Sequence, residues 1–181
     1  MTEGINSSSE LSYGWHIADN VITGRNTAWF PSQGKSSSRT GILMYGRGHI
    51  IARNRVSRFR DCIAIADHGP PHRDISLKCG AIDICGNDLS EAMDVGIKSD
   101  YGCHNIRVFR NRIVNVDTGL SASPVYGGPV YFIRNEVYNA ATQSLRLHNW
   151  CAGPVILHNT FICADGAFAS YARWQNGVIR N

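Results

Sequence analysis

Seven asparagines, Asn20, Asn54, Asn87, Asn111, Asn135, Asn159 and Asn181, divide the chain at intervals of 34, 33, 24, 24, 24 and 22 residues. Three positions before them stand Ile17, Ile51, Ile84, Val108, Phe132, Ile156 and Val178. Two positions after the first six stand Ile22, Val56, Leu89, Ile113, Val137 and Phe161. Every one of these flanking residues is large and apolar. A short unit of this kind cannot bury its apolar face alone, so the units must stack on one another.

A second apolar segment follows in most units: Ile63-Ala64-Ile65-Ala66, Val95-Gly96-Ile97-Lys98, Leu120-Ser121-Ala122-Ser123, Leu145-Arg146-Leu147-His148 and Phe168-Ala169-Ser170-Tyr171. Alternation at a period of two marks a strand with one buried face. No sustained helical stripe interrupts the pattern. The composition agrees, with 18 Gly and 14 Asn supplying turns rather than long helices. The repeat resembles the single-stranded, right-handed parallel β-helix of the pectin-lyase-like superfamily, in which a buried Asn recurs at a sharp bend and forms a ladder of amides. The resemblance predicts an all-β solenoid of about seven coils over residues 16–181, with an irregular N-terminal segment at 1–15. The last half coil, Gly177-Val178-Ile179-Arg180-Asn181, reads as a domain that continues in a longer parent protein and as an open C-terminal coil suited to self-association.

The chain has 181 residues, 43% of them hydrophobic, which is enough for one domain with its own core. No apolar run is long enough for a membrane-spanning helix, and Met1 to Ser7 shows no signal peptide. The resemblance places such proteins outside the cytoplasm, extracellular or periplasmic. None of the six cysteines shows C-x-x-C spacing; they read mainly as small buried apolar residues, with a local Cys79–Cys85 disulfide as the alternative.

Chemistry is expected along the second strand, where long insertions at 23–40 and 67–74 wall one strip. Lys98 and Arg146 fall on its outward face two coils apart, and His148 follows Arg146 at the same parity. Of the 18 basic residues, 15 are Arg, whose planar fork suits carboxylates. The expected ligand is an acidic polysaccharide. Lys98 and Arg146 would hold its carboxylates or act as bases, His148 would transfer a proton, and the chemistry would be that of a lyase or epimerase. Tyr45, Asp67, Asp100, Asn149, Trp150, Tyr171 and Arg173 are the expected substrate-binding residues. Asp67 and Asp100 are the oxygen ligands a calcium ion would take, while His68, His72 and His104 would suit zinc.

Asp61-Cys62-Ile63-Ala64-Ile65 is similar to the aspartate-bearing strand of polygalacturonases, but Arg60 stands where that family has a second Asp. Hydrolysis by paired carboxylates is therefore less favoured, and Asp94, Asp117 and Asp165 read as turn formers. A column of Arg53, Arg110, Arg134 and Arg180 beside the asparagines reads as long stems shielding backbone, with no nucleic-acid partner expected at a net charge of +4. The competing function is a non-catalytic structural β-helix segment, as in adhesins or phage tail spikes, or an inactive piece of a polysaccharide-degrading enzyme.

Overall fold

The computed structural model describes residues 3–27, 38–66, 69–70, 72–74, 77–169 and 175–180. They form an all-β parallel solenoid of about five turns. Strands are numbered in chain order. One sheet has seven: β2 (His16–Ala18), β5 (Ile50–Ala52), β8 (Gly80–Cys85), β10 (His104–Phe109), β12 (Val130–Ile133), β14 (Pro154–Leu157) and β17 (Val178–Arg180). The other runs β1 (Ile5–Ser7), β4 (Thr40–Met44), β7 (Asp61–Ala64), β9 (Asp88–Lys98), β11 (Arg112–Ala122), β13 (Glu136–Leu147) and β15 (Thr160–Cys163). Three short strands lie beside it: β3 (Val21–Thr23), β6 (Arg55–Ser57) and β16 (Gly166–Ala169). The structure has about five turns where seven coils were expected. The expected irregular start also changes, since β1 pairs with β4 and places Ile5 beside Ile42.

The asparagine column shows what the bend requires. Each side-chain amide donates to the Asn oxygen of the next coil, over 2.9–3.1 Å, from Asn20 through Asn54, Asn87, Asn111 and Asn135 to Asn159. Each also caps a carbonyl one coil back: Asn54 bonds Ile17, Asn87 bonds Ile51, Asn111 bonds Ile84, Asn135 bonds Val108 and Asn159 bonds Phe132. The residue before each Asn is left-handed, with φ of 61° at Asp19, 54° at Arg53, 63° at Gly86, 55° at Arg110, 53° at Arg134 and 56° at His158. Such a turn frees interior backbone groups that only another polar group can satisfy. Arg53, Arg110 and Arg134 of the Arg column thus occupy the turn, while Arg180 ends β17, and Arg53 pairs with Asp19 of the coil before it.

The apolar residues beside each Asn fill the interior. Ile51, Ile84, Val108 and Phe132 pack against Val56, Leu89, Ile113 and Val137, and all are buried. The second apolar segment joins this core in register, with Ile63, Ile97, Leu120 and Leu145 buried on successive coils, while Phe168 continues the register beside Leu145 but is exposed. In the central coils both strand segments merge into one long strand that bends at left-handed Glu91, Asn115 and Asn139. All six cysteines are free. The Cys79–Cys85 disulfide is excluded because the extended strand β8 separates the two, well beyond the Cα spacing of about 4.4–6.8 Å that a disulfide tolerates.

Candidate functional site

Register alone brings the expected cations together. Ala64, Lys98, Ser121 and Arg146 stand on consecutive coils at equivalent positions, facing away from the core. With strands about 4.8 Å apart, Lys98 and Arg146 lie roughly 10 Å from one another at the backbone. Their side chains are only 18% and 22% exposed, so neighbouring side chains cover most of each.

Carboxylates surround both cations. Lys98 Nζ lies 3.8 Å from Asp61 Oδ2, whose partner oxygen accepts the Val95 N–H at 3.2 Å. Arg146 Nη1 is 3.9 Å from Asp94 Oδ1, and Arg146 Nη2 is 3.9 Å from Asp100 Oδ2. Arg60 holds the other side of Asp94 at 3.3 Å. The Ser121 hydroxyl donates to Asp100 Oδ1 at 2.5 Å and accepts Arg146 Nε–H at 3.2 Å. The pairs at 3.8–3.9 Å are too long for hydrogen bonds, so the terminal donors of Lys98 and Arg146 are attracted to carboxylates without being bonded to them.

This crowding shifts protons. Burial pushes the Asp61 carboxyl up to about 6, with Lys98 opposing and Asp94 adding to the rise. Burial also raises Asp100, against the pull of Ser121 and Arg146. Asp117 rises through burial and then through Asp94. His148 moves the other way: burial, and then the Arg146 charge, hold its imidazole below the ordinary value. The Asp61 carboxyl and the His148 imidazole thus shift in opposite directions, on coils three apart.

Among the other expected binding residues, Asn149 joins the strip by donating to Ser123 Oγ at 3.1 Å, while Ser123 N–H donates to Asp100 at 2.8 Å. Trp150 follows it, left-handed at φ 69° and 56% exposed. Tyr45 stands apart, in a cavity whose lining includes neither Lys98 nor Arg146. Asp67, Tyr171 and Arg173 lie outside the described residues, as does His68. Asp100 is poorly placed for calcium: it is buried, one oxygen accepts two hydrogen bonds, and the other faces the Arg146 guanidinium. Among the described residues no cluster of three or more His, Cys, Asp or Glu could hold a metal ion.

The strip contains residues that the reading of turns passed over. Asp94 lies within β9 and bridges two arginines from different coils, and Asp117 lies within β11. A signal was available, since Asp94 and Asp117 each stand three places before an aligned core residue, Ile97 and Leu120. Arg60 and Asp61 precede Ile63 at nearly the same offset. No family model matches the chain, and neither curated proteins nor solved structures give a match.

Proposed function

We propose that the protein binds an acidic polysaccharide across the Lys98–Arg146 strip and acts on it by proton abstraction next to the sugar carboxylate, in the manner of a lyase or epimerase of the pectin-lyase-like kind. The observation that carries this reading is the pair of largely covered cations, two coils apart, whose nearest carboxylates stay outside hydrogen-bond range. A uronate carboxylate entering the strip gains charge-assisted hydrogen bonds that the protein's own aspartates leave unmade. Neutralising it makes the adjacent C5 proton more acidic.

His148, kept neutral by burial and Arg146, has a lone pair to take that proton. In elimination the C5–H bond breaks toward the imidazole, its electron pair forms the C4=C5 double bond, and the C4–O bond breaks. The departing C4 oxygen takes its proton from water, since Asp61 stands three coils from His148. In epimerisation the proton would return to C5 from the opposite face instead.

The test is absorbance of unsaturated uronates on pectate, alginate, hyaluronan and chondroitin, with and without calcium, beside a Lys98→Ala, Arg146→Ala double variant checked for folding by circular dichroism. Product from the wild type that the variant fails to make is the expected result. Silence on every polymer, with no change in sugar configuration by NMR, would remove the catalytic reading. Loss of polymer binding as well would leave the structural-segment alternative.

A further inference from the structure

Arg146 is held by a relay of hydrogen bonds that crosses three coils. Its Nε–H donates to Ser121 Oγ at 3.2 Å, and the Ser121 hydroxyl donates to Asp100 Oδ1 at 2.5 Å. The same Asp100 oxygen accepts the Ser123 N–H at 2.8 Å, which fixes the carboxylate from a second side. Register sets the order of the three groups. Ser121 lies opposite Arg146 on one neighbouring strand and opposite Lys98 on the other, and Asp100 follows Lys98 by two residues.

Ser121 is fully buried and Asp100 is 5% exposed, so water does not compete for these bonds. A serine hydroxyl has one proton to give and two lone pairs to accept with. Giving the proton to Asp100 leaves the oxygen as an acceptor, strengthened by the anion behind it, and the arginine Nε–H meets that oxygen. Ser121 and Arg146 both favour the anionic form of Asp100 against its burial. Asp100 Oδ2 faces Nη2 at 3.9 Å, so Nε and Nη2 both turn toward the Ser121–Asp100 pair, while Nη1 turns toward Asp94 at 3.9 Å. A guanidinium held at Nε has its plane fixed before any ligand arrives, and little side-chain freedom is then lost on binding.

We infer that Ser121 and Asp100 are positioning residues, which hold Arg146 through its Nε–H so that its Nη donors meet the carboxylate of one uronate. The inference rests on the polysaccharide reading of the strip and deepens it, because Asp100 becomes the support of the arginine rather than a contact to the sugar. A lysine has no counterpart of the Nε–H, so Arg146→Lys keeps the charge and loses the relay.

Nitrogen-15 NMR of the full chain tests the relay without a ligand. Arg146→Lys removes one arginine Nε–H signal and so assigns it. In the wild type this proton should exchange with water about tenfold more slowly than in Ser121→Ala, as a hydrogen bond to a charged group implies. Ser144→Ala, which removes another fully buried hydroxyl from the strand that carries Arg146, should leave the signal unchanged. Equal exchange in the wild type and folded Ser121→Ala, or equal acceleration in Ser144→Ala, would overturn the relay. Affinity electrophoresis through pectate and alginate then tests its purpose. Ser121→Ala and Arg146→Lys should each weaken retardation about tenfold, and Ser144→Ala should not. Retardation of Arg146→Lys equal to that of the wild type would overturn the positioning role, and this comparison decides alone if Ser121→Ala does not fold. A wild type that neither polymer retards would count against the polysaccharide reading instead, with the NMR signal still deciding the relay.

Discussion

Asn111 illustrates how much one side chain holds in this fold. Its amide donates to Ile84 O and Asn135 Oδ1, and its oxygen accepts from the backbone and side-chain amides of Asn87. Asn111→Ala leaves several buried polar groups unmatched at about 1–3 kcal/mol each, so a loss of about 3–5 kcal/mol is expected in chemical denaturation. Arg112→Ala, which breaks an exposed pair with Asp88, should cost at most about 1 kcal/mol. Asp61 gives a pH signature. Its folded value of about 6 lies above the ordinary 3.8, so the folded state binds the extra proton. The contribution is therefore full below about pH 4 and lost as pH rises through 6. The loss is on the order of 3 kcal/mol at 1.36 kcal/mol per unit. Denaturation curves between pH 4 and 7 should show this decline in the wild type and a flatter profile in Asp61→Asn. The same protonation removes the charge beside Lys98, so binding of an acidic polymer should tighten on going from pH 7.5 to pH 5.

The long strands β9, β11 and β13 bend instead of breaking, and small residues sit behind the bend. Gly96, Gly119 and Ser144 are aligned on three coils. A Cβ on Gly119 would stand 2.6 Å from Ser144 O and 2.6 Å from Val137 Cγ1, both fixed by packing. Gly119→Ala should therefore cost about 1–3 kcal/mol in thermal or denaturant unfolding. Gly166→Ala, whose nearest contact would be Phe168 O at 3.9 Å, should be tolerated. The register of the second segment was legible because Ile63, Ile97, Leu120 and Leu145 all follow strict alternation. The merging of the two segments was not, because a left-handed Asn115 or Asn139 within a strand carries the same residue type as a turn. Strand β1 was equally hidden, since Asn6 lacks the apolar residues that flank the repeat asparagines, with Glu3 three places before it and Ser8 two after, and the strand gains its place only by pairing with β4. Lys98 and Arg146 were legible as outward neighbours from parity alone. Their aspartate partners were not, because Asp94 meets Arg60 and Arg146 only once four coils, from β7 to β13, are stacked.

At the scale of the whole molecule, the solenoid converts sequence distance into a linear array. Residues more than twenty positions apart become neighbours at about 4.8 Å, and each coil presents one outward side chain to anything lying across the strip. Lys98 and Arg146 then stand two coils apart, with the buried Ser121 hydroxyl bonded to Arg146 between them, a spacing that the proposed regularly charged polymer would use. With a net charge of only +4 and 14 acidic residues, general attraction to polyanions is weak, so the proposed binding would depend on this strip. Affinity electrophoresis through gels containing pectate, alginate or a neutral glucan tests that most directly. Retardation of the wild type by at least one acidic polymer, none by the glucan, and loss of retardation in the folded Lys98→Ala, Arg146→Ala variant are expected. Unretarded migration in every gel, or equal retardation of wild type and variant, would contradict it.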